Sequence, residues 1–71
     1  MKLPRDVSAE QAVAALRRLG FSVVRQRGSH IRLANATNNV TVPAHNPIAI
    51  GTLKSLIRPA GVSEEDFCDV L

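Results

Sequence analysis

The sequence has no tryptophan and no tyrosine, and its aromatic residues are Phe21 and Phe67 alone. Modules that read single-stranded nucleic acid by stacking bases need exposed aromatic platforms. Two phenylalanines, both at apolar positions, are needed for the core, so aromatic stacking is not the expected mode of recognition. Contact with phosphates, sugars and helix shape stays open. The single cysteine, Cys68, excludes an internal disulfide and a cysteine-based zinc site; it reads as a small buried hydrophobe. Nowhere is there a run of about 18 apolar residues, so no membrane span is expected. The start, Met1-Lys2-Leu3-Pro4-Arg5, lacks the apolar stretch of a secretory signal, and a cytoplasmic location is the simple expectation. Length is short too. With 71 residues, the chain buries only about 60% of its unfolded surface. That allows one domain over residues 1–71 and rules out a Rossmann-type cofactor fold or a barrel enzyme.

What is present is hydrophobic enough to fold, at 45% apolar residues, and uneven in charge. The formal net charge of +3 divides into a body, residues 1–63, at +7 and an end, residues 64–71, at −4. A basic body points toward a polyanionic partner, although many basic surfaces bind nothing in particular.

The pattern along the chain predicts an α+β protein. Val7 to Gly20 reads as a helix: Ser8 and Gln11 have capping-box spacing, and Ala9, Ala12, Val13, Leu16 and Leu19 share one face. Arg17 and Arg18 suit its C-terminal dipole, and Gly20 ends it. The period then changes to two. Phe21 to Gln26 reads as a strand, Arg27-Gly28 as a tight turn, and Ser29 to Leu33 as a second strand. In that second strand Ile31 and Leu33 point one way and His30 and Arg32 the other. Asn39 to Val42 is a third strand stopped by Pro43, and the short connections require an antiparallel meander. A helix follows from Ile50 to Arg58, with Leu53, Leu56 and Ile57 inward. It ends or distorts at Pro59, which cannot donate to the Ser55 carbonyl. Ser63 and Asp66 repeat the capping spacing for a short helix from Glu64 to Val70. The order is αβββα with a terminal helical turn.

Chemistry concentrates around the hairpin. If the polyanionic partner were RNA, its cleavage without a cofactor would need a group that takes the 2′-hydroxyl proton, one that helps the 5′-oxygen leave, and cations for the phosphorane. Histidine suits the proton transfers because its reference pKa, about 6.5, is near cellular pH. His30 would then be the candidate acid–base residue; on the residues alone it is equally an ordinary polar residue of a solvated strand. Arg25, Arg27 and Arg32 are candidate phosphate clamps, and Ser29 is a possible phosphate donor or a turn cap. Gly28 is read as structural, supplying positive φ to the turn. Lys54, near the start of the second long helix, is a further candidate, since helix starts meet phosphates. The plainer alternative for all of these is a solvated strand face. A zinc site from His30, His45 and Cys68 would need three distant segments to converge without a recognised ligand spacing.

Gly28-Ser29-His30, Val42-Pro43-Ala44-His45, Gly51-Thr52-Leu53 and Ala60-Gly61-Val62-Ser63 occur in this order. Together they resemble the HicA (YcfA-like) toxin family, as do Leu19-Gly20-Phe21 and Val24-Arg25-Gln26-Arg27. The resemblance covers nearly the whole chain. It implies a double-stranded-RNA-binding-domain-like αβββα fold, with a three-stranded antiparallel sheet and helices on one face. It further implies ribonuclease activity on messenger RNA, and a HicB-type antitoxin that blocks the site. Its carry-over to catalysis falls on His30; metal and small-molecule cofactors are not expected. His45 matches the family's V-P-x-H segment and is open to three roles: second proton-transfer group, phosphate contact or loop anchor. Pro59 departs from the family, which more often has a polar helix former there. Two rivals stand beside the nuclease reading: a non-catalytic module that binds structured RNA, and an antitoxin-binding subunit whose site has decayed.

Overall fold

The expected capping box forms and fixes the start of the first helix, α1 (Ala9–Arg18). The Gln11 amide donates to the Ser8 hydroxyl at 3.0 Å, and the Ser8 amide donates to the Gln11 side-chain carbonyl at 2.8 Å. Two orphan donors of the first turn are thereby satisfied reciprocally. The helix closes in a Schellman pair: the Gly20 amide donates to the Arg17 carbonyl at 3.1 Å and the Phe21 amide to the Leu16 carbonyl at 3.0 Å. Gly20, at φ +99°, takes the left-handed conformation that this geometry needs. Val7, expected in the first turn, is outside the helix, because its carbonyl accepts from the Ile48 amide at 2.8 Å in an isolated bridge.

The computed structural model describes residues 3–71; Met1 and Lys2 lie outside the described residues. The three strands are β1 (Ser22–Arg27), β2 (His30–Ala34) and β3 (Asn39–Pro43). They form one antiparallel sheet in the order β1-β2-β3. The first turn falls one residue later than the sequence indicates. Arg27 pairs with His30, so Arg27 closes β1 and the turn is Gly28-Ser29. Positive φ at Gly28 and not at Ser29 fits the type II′ hairpin, whose first central residue is the one that needs glycine. Phe21 precedes the strand because its amide is spent on the helix end.

Leu33, Val40 and Val42 face the helices and are buried, with Leu33 and Val42 fully so. They meet Ala12, Ala15 and Leu16 of α1, Phe21, and Leu53, Leu56 and Ile57 of α2 (Ile50–Ile57) in one core. Ala15, absent from the apolar set read in the sequence, is buried with them, whereas Val13 and Leu19 are half-buried at the margin. The helix α2 ends one residue earlier than expected, at Ile57, because Pro59 has no amide to continue the ladder. The chain nevertheless keeps turning: the Gly61 amide donates to the Arg58 carbonyl at 3.1 Å and the Val62 amide to the Ile57 carbonyl at 3.2 Å, a second Schellman-type closure. Helix α3 (Glu64–Asp69) starts at Ser63, whose hydroxyl accepts from the Asp66 amide at 3.0 Å. Its Phe67 is fully buried, as expected, but Cys68 is only half-buried against the core. Among the described residues, no helix is long and apolar enough to cross a membrane.

Gly61 is at φ +74°, and a Cβ there would approach the Asn38 side-chain amide to 3.2 Å; Gly51, inside α2, has open space at the same test. Gly61→Ala is therefore expected to destabilise the protein by about 1–2 kcal/mol. Gly51→Ala should stabilise it by roughly 0.5–1 kcal/mol. Urea denaturation of the pair checks both signs.

Candidate functional site

Cross-strand pairing assembles the outer face of the sheet. Residues directly opposite in an antiparallel pair share a face, with Cβ atoms about 4.5–5.5 Å apart. His30 is opposite Arg27 on one side and Pro43 on the other; Arg32 is opposite Arg25 and Thr41. The two rows are one pleat apart, roughly 7 Å along the strand. His30, Arg25, Arg27 and Arg32 are all exposed and form one contiguous patch. The sequence singled out these four residues, and the fold brings them together.

This placement depends on an irregularity in β1. Val23 pairs with Leu33, and the next pair is Arg25 with Arg32, leaving Val24 as an extra residue in a β-bulge. In an unbroken strand, residues 21, 23, 25 and 27 would point to one side. The bulge separates them. Phe21 goes into the core and Val23 to the α1 side, while Arg25 and Arg27 turn outward beside His30 and Arg32. Val24 is left exposed. The sequence signal for it was the apolar pair Val23-Val24 in a period-two run, one apolar residue more than alternation allows.

The electrostatics of the patch are unusual for a protein at rest. Arg25 and Arg32 are like charges directly opposite each other, an arrangement that destabilises a sheet. Nothing on the face offsets it: the other paired outer positions are Ser22, Ala34, Asn39, Thr41 and Pro43, none of them acidic. Among the described residues, the side chains of Arg25, Arg27, His30 and Arg32 make no hydrogen bond or ion pair. Planar guanidinium groups with free donors are matched to phosphate oxygens.

The hairpin turn is tied to the chain leaving β3, where the Ala44 amide donates to the Ser29 carbonyl at 2.6 Å. Two residues beyond, the Asn46 side-chain carbonyl accepts from the Ala9 amide at 2.8 Å and caps α1. His45 is thus held between two anchored neighbours, at the same end of the sheet as His30. It is exposed and makes no hydrogen bond among the described residues. Asn46 is a residue that the sequence reading did not single out; an Asx side chain capping a helix from 37 positions away leaves no local signature.

Lys54 is not brought to the patch. It lines the clefts that α2 makes with Arg5 and with Glu64 at the start of α3, away from the hairpin. Arg18 donates to the Val70 carbonyl at 2.8 Å and ties α1 to the C-terminal end. Among the described residues, no three His, Cys, Asp or Glu side chains gather closely enough to share a metal ion. A second feature borders the patch: a groove of about 390 Å³ between the β3 side of the outer face and α2, with Arg32 on its rim.

The fold and site define a small α+β protein of αβββα order that presents one histidine among arginines on an open sheet face. The family model for the HicA toxin of bacterial toxin-antitoxin systems matches residues 9–62. The match spans well over half of the chain, and the protein belongs to the HicA toxin family, the toxin partner of a toxin–antitoxin pair. Comparison with curated proteins gives no match.

The uncompensated Arg25–Arg32 pair makes a prediction independent of function. Arg25→Gln should raise the urea midpoint at low ionic strength, and the gain should shrink at high salt as screening removes the repulsion. A midpoint that falls, or a gain insensitive to salt, would mean the two side chains are not in conflict.

Proposed function

We propose that the protein is an endoribonuclease, an mRNA interferase that arrests growth by cleaving messenger RNA at the outer sheet face. The observation that carries this reading is the juxtaposition of exposed His30 with the unpaired guanidinium groups of Arg25, Arg27 and Arg32. The αβββα fold supports it, since the resemblance drawn from the sequence relates it to a double-stranded-RNA-binding domain, a fold that meets RNA through phosphates and 2′-hydroxyls.

In the proposed mechanism the arginines bind the scissile phosphate and its neighbours, and His30 in its neutral form removes the 2′-hydroxyl proton. The 2′-oxygen attacks phosphorus, the 5′-oxygen leaves, and the products are a cyclic 2′,3′-phosphate and a 5′-hydroxyl. Charge gathering on the phosphorane is met by guanidinium groups already in place, so little reorganisation is needed as the barrier is crossed. Arg27, directly across from His30, is the nearest such group by register. Ser29 follows the turn glycine and offers a hydroxyl at the edge of the same patch. His45, fixed at this end of the sheet, is the proposed second proton-transfer group. The reaction uses no metal or organic cofactor in this scheme.

The partner follows from the same surface. A HicB-type antitoxin with an acidic face would cover His30 and compensate Arg25, Arg27 and Arg32 together. It would block access without changing the toxin's shape, and it would stabilise a protein whose core is small.

His30→Ala is expected to relieve growth arrest and to lower cleavage of purified RNA by about 10²–10⁴-fold, with an unchanged far-ultraviolet circular dichroism spectrum. Equal toxicity and equal cleavage by the variant would defeat the mechanism. Wild-type cleavage should persist in excess EDTA; its loss on chelation and return with a divalent ion would instead assign the chemistry to a metal.

A further inference from the structure

The groove beside the patch has no task in the mechanism above. Its sheet wall is Arg32, Asn39 and Thr41, and its helix wall is Thr52, Ser55 and Pro59, with buried Leu56 at the base. Thr52, Ser55, Leu56 and Pro59 are spaced as one stripe of α2 and the turn that follows it. This stripe is rotated from the core-facing set of Leu53, Ile57 and Ala60 and shares only Leu56 with the core, so Thr52, Ser55 and Pro59 are left exposed beside the sheet. It turns hydroxyls toward the outer face of the sheet.

The polar groups of the groove are of mixed character. Ser55 donates its hydroxyl proton to the Gly51 carbonyl at 2.9 Å, which leaves its oxygen lone pairs to accept. The side chains of Asn39, Thr41 and Thr52 make no hydrogen bond among the described residues, so each offers both a donor and an acceptor. An apolar floor with a few donors and acceptors around it suits a flat heterocycle that carries both on its edge. The volume, about 390 Å³, is at the small end of ligand-sized clefts, roughly 300–1,000 Å³. A groove of this size accommodates one base.

Position gives the direction. Arg32 belongs both to this groove and to the His30 patch, and the Arg32–Thr41 pair is one pleat from His30–Pro43. A phosphate held at Arg32 therefore has the His30 site on one side and the groove on the other. We propose that the groove is a subsite that takes the base of one nucleotide of single-stranded RNA next to the scissile phosphate. Thr52, Ser55 and Asn39 read its edge, which gives the enzyme a base preference at that position. The inference rests on the ribonuclease reading and extends it from chemistry to specificity. It also answers the lack of aromatics: the base is read at its edge rather than stacked on a ring.

The test uses the full chain with a pool of short oligoribonucleotides, and maps the cleaved ends. Thr52→Val and Ser55→Ala alter exposed side chains and remove one hydroxyl each. Combined, they should flatten the base preference at a single nucleotide flanking the cut by about three- to tenfold, the range of one or two lost hydrogen bonds. His30→Ala should instead lose cleavage at every site alike. In ¹⁵N spectra of His30→Ala, which leaves the pool intact, the amides of Asn39, Thr41, Thr52 and Ser55 should shift on titration. A preference unchanged in the double variant overturns the subsite and leaves the nuclease reading standing. If the wild type cleaves no RNA, the nuclease reading falls and the amide shifts decide: movement at the groove supports a nucleotide-binding role, and its absence overturns it.

Discussion

The structure depends on a conflict of parity in β1, resolved at Val24. Upstream, the end of α1 commits Phe21 to the core, because its amide closes the helix and its ring is buried. Downstream, the two-residue hairpin commits Arg27 to pair with His30. An alternating strand cannot satisfy both: it would carry the arginines to the side of Phe21 and α1, away from His30 and Arg32. One extra residue removes the conflict. It leaves an apolar side chain, Val24, in solvent and brings both guanidinium groups to the His30 face.

From that point the sheet acts as a jig. One face is spent on the core, through Leu33, Val40 and Val42; the other is free to gather charge. The same register that defines the core also opposes Arg25 to Arg32 and Arg27 to His30. Such a face is worse for stability than a mixed one, and a chain with so small a core has little stability in reserve. The proposed partners both supply negative charge to it: RNA phosphates during turnover, and an acidic antitoxin surface otherwise. Competition for one patch is then sufficient for control, with no conformational switch.

Much of the fold was legible because its ends are marked chemically. Ser8 with Gln11, Gly20, Ser63 and Pro59 each report a local backbone event, and each does so within a turn of where it was expected. Alternation in His30-Ile31-Arg32-Leu33 put the histidine and arginine outward, as observed. Local patterns failed where the determinant was distant. Val7 leaves the helix for a bridge to Ile48, and Asn46 caps Ala9 across the fold. The turn slipped by one residue because Arg27-Gly28 and Gly28-Ser29 both look like turns; only the pairing of Arg27 with His30 decides between them. The bulge left only the apolar pair Val23-Val24 as a trace, and that pair does not by itself say which residue is extra. The groove could not be read at all, since its walls come from β2, β3 and α2 and its polar residues look like ordinary helix and strand surface. Lys54 shows the converse: a plausible phosphate contact by sequence position, placed by α2 on another side of the molecule.

The proposed chemistry depends on His30 acting at a ribose 2′-hydroxyl. Once a cleavage site has been mapped in a short oligoribonucleotide, the direct measurement replaces the nucleotide on the 5′ side of that bond by its 2′-deoxy form and follows cleavage by the wild-type protein. That bond should stay intact, with the remaining all-ribose positions still susceptible. Cleavage at the same bond at an undiminished rate would contradict that chemistry, because the attacking oxygen would then have to come from elsewhere.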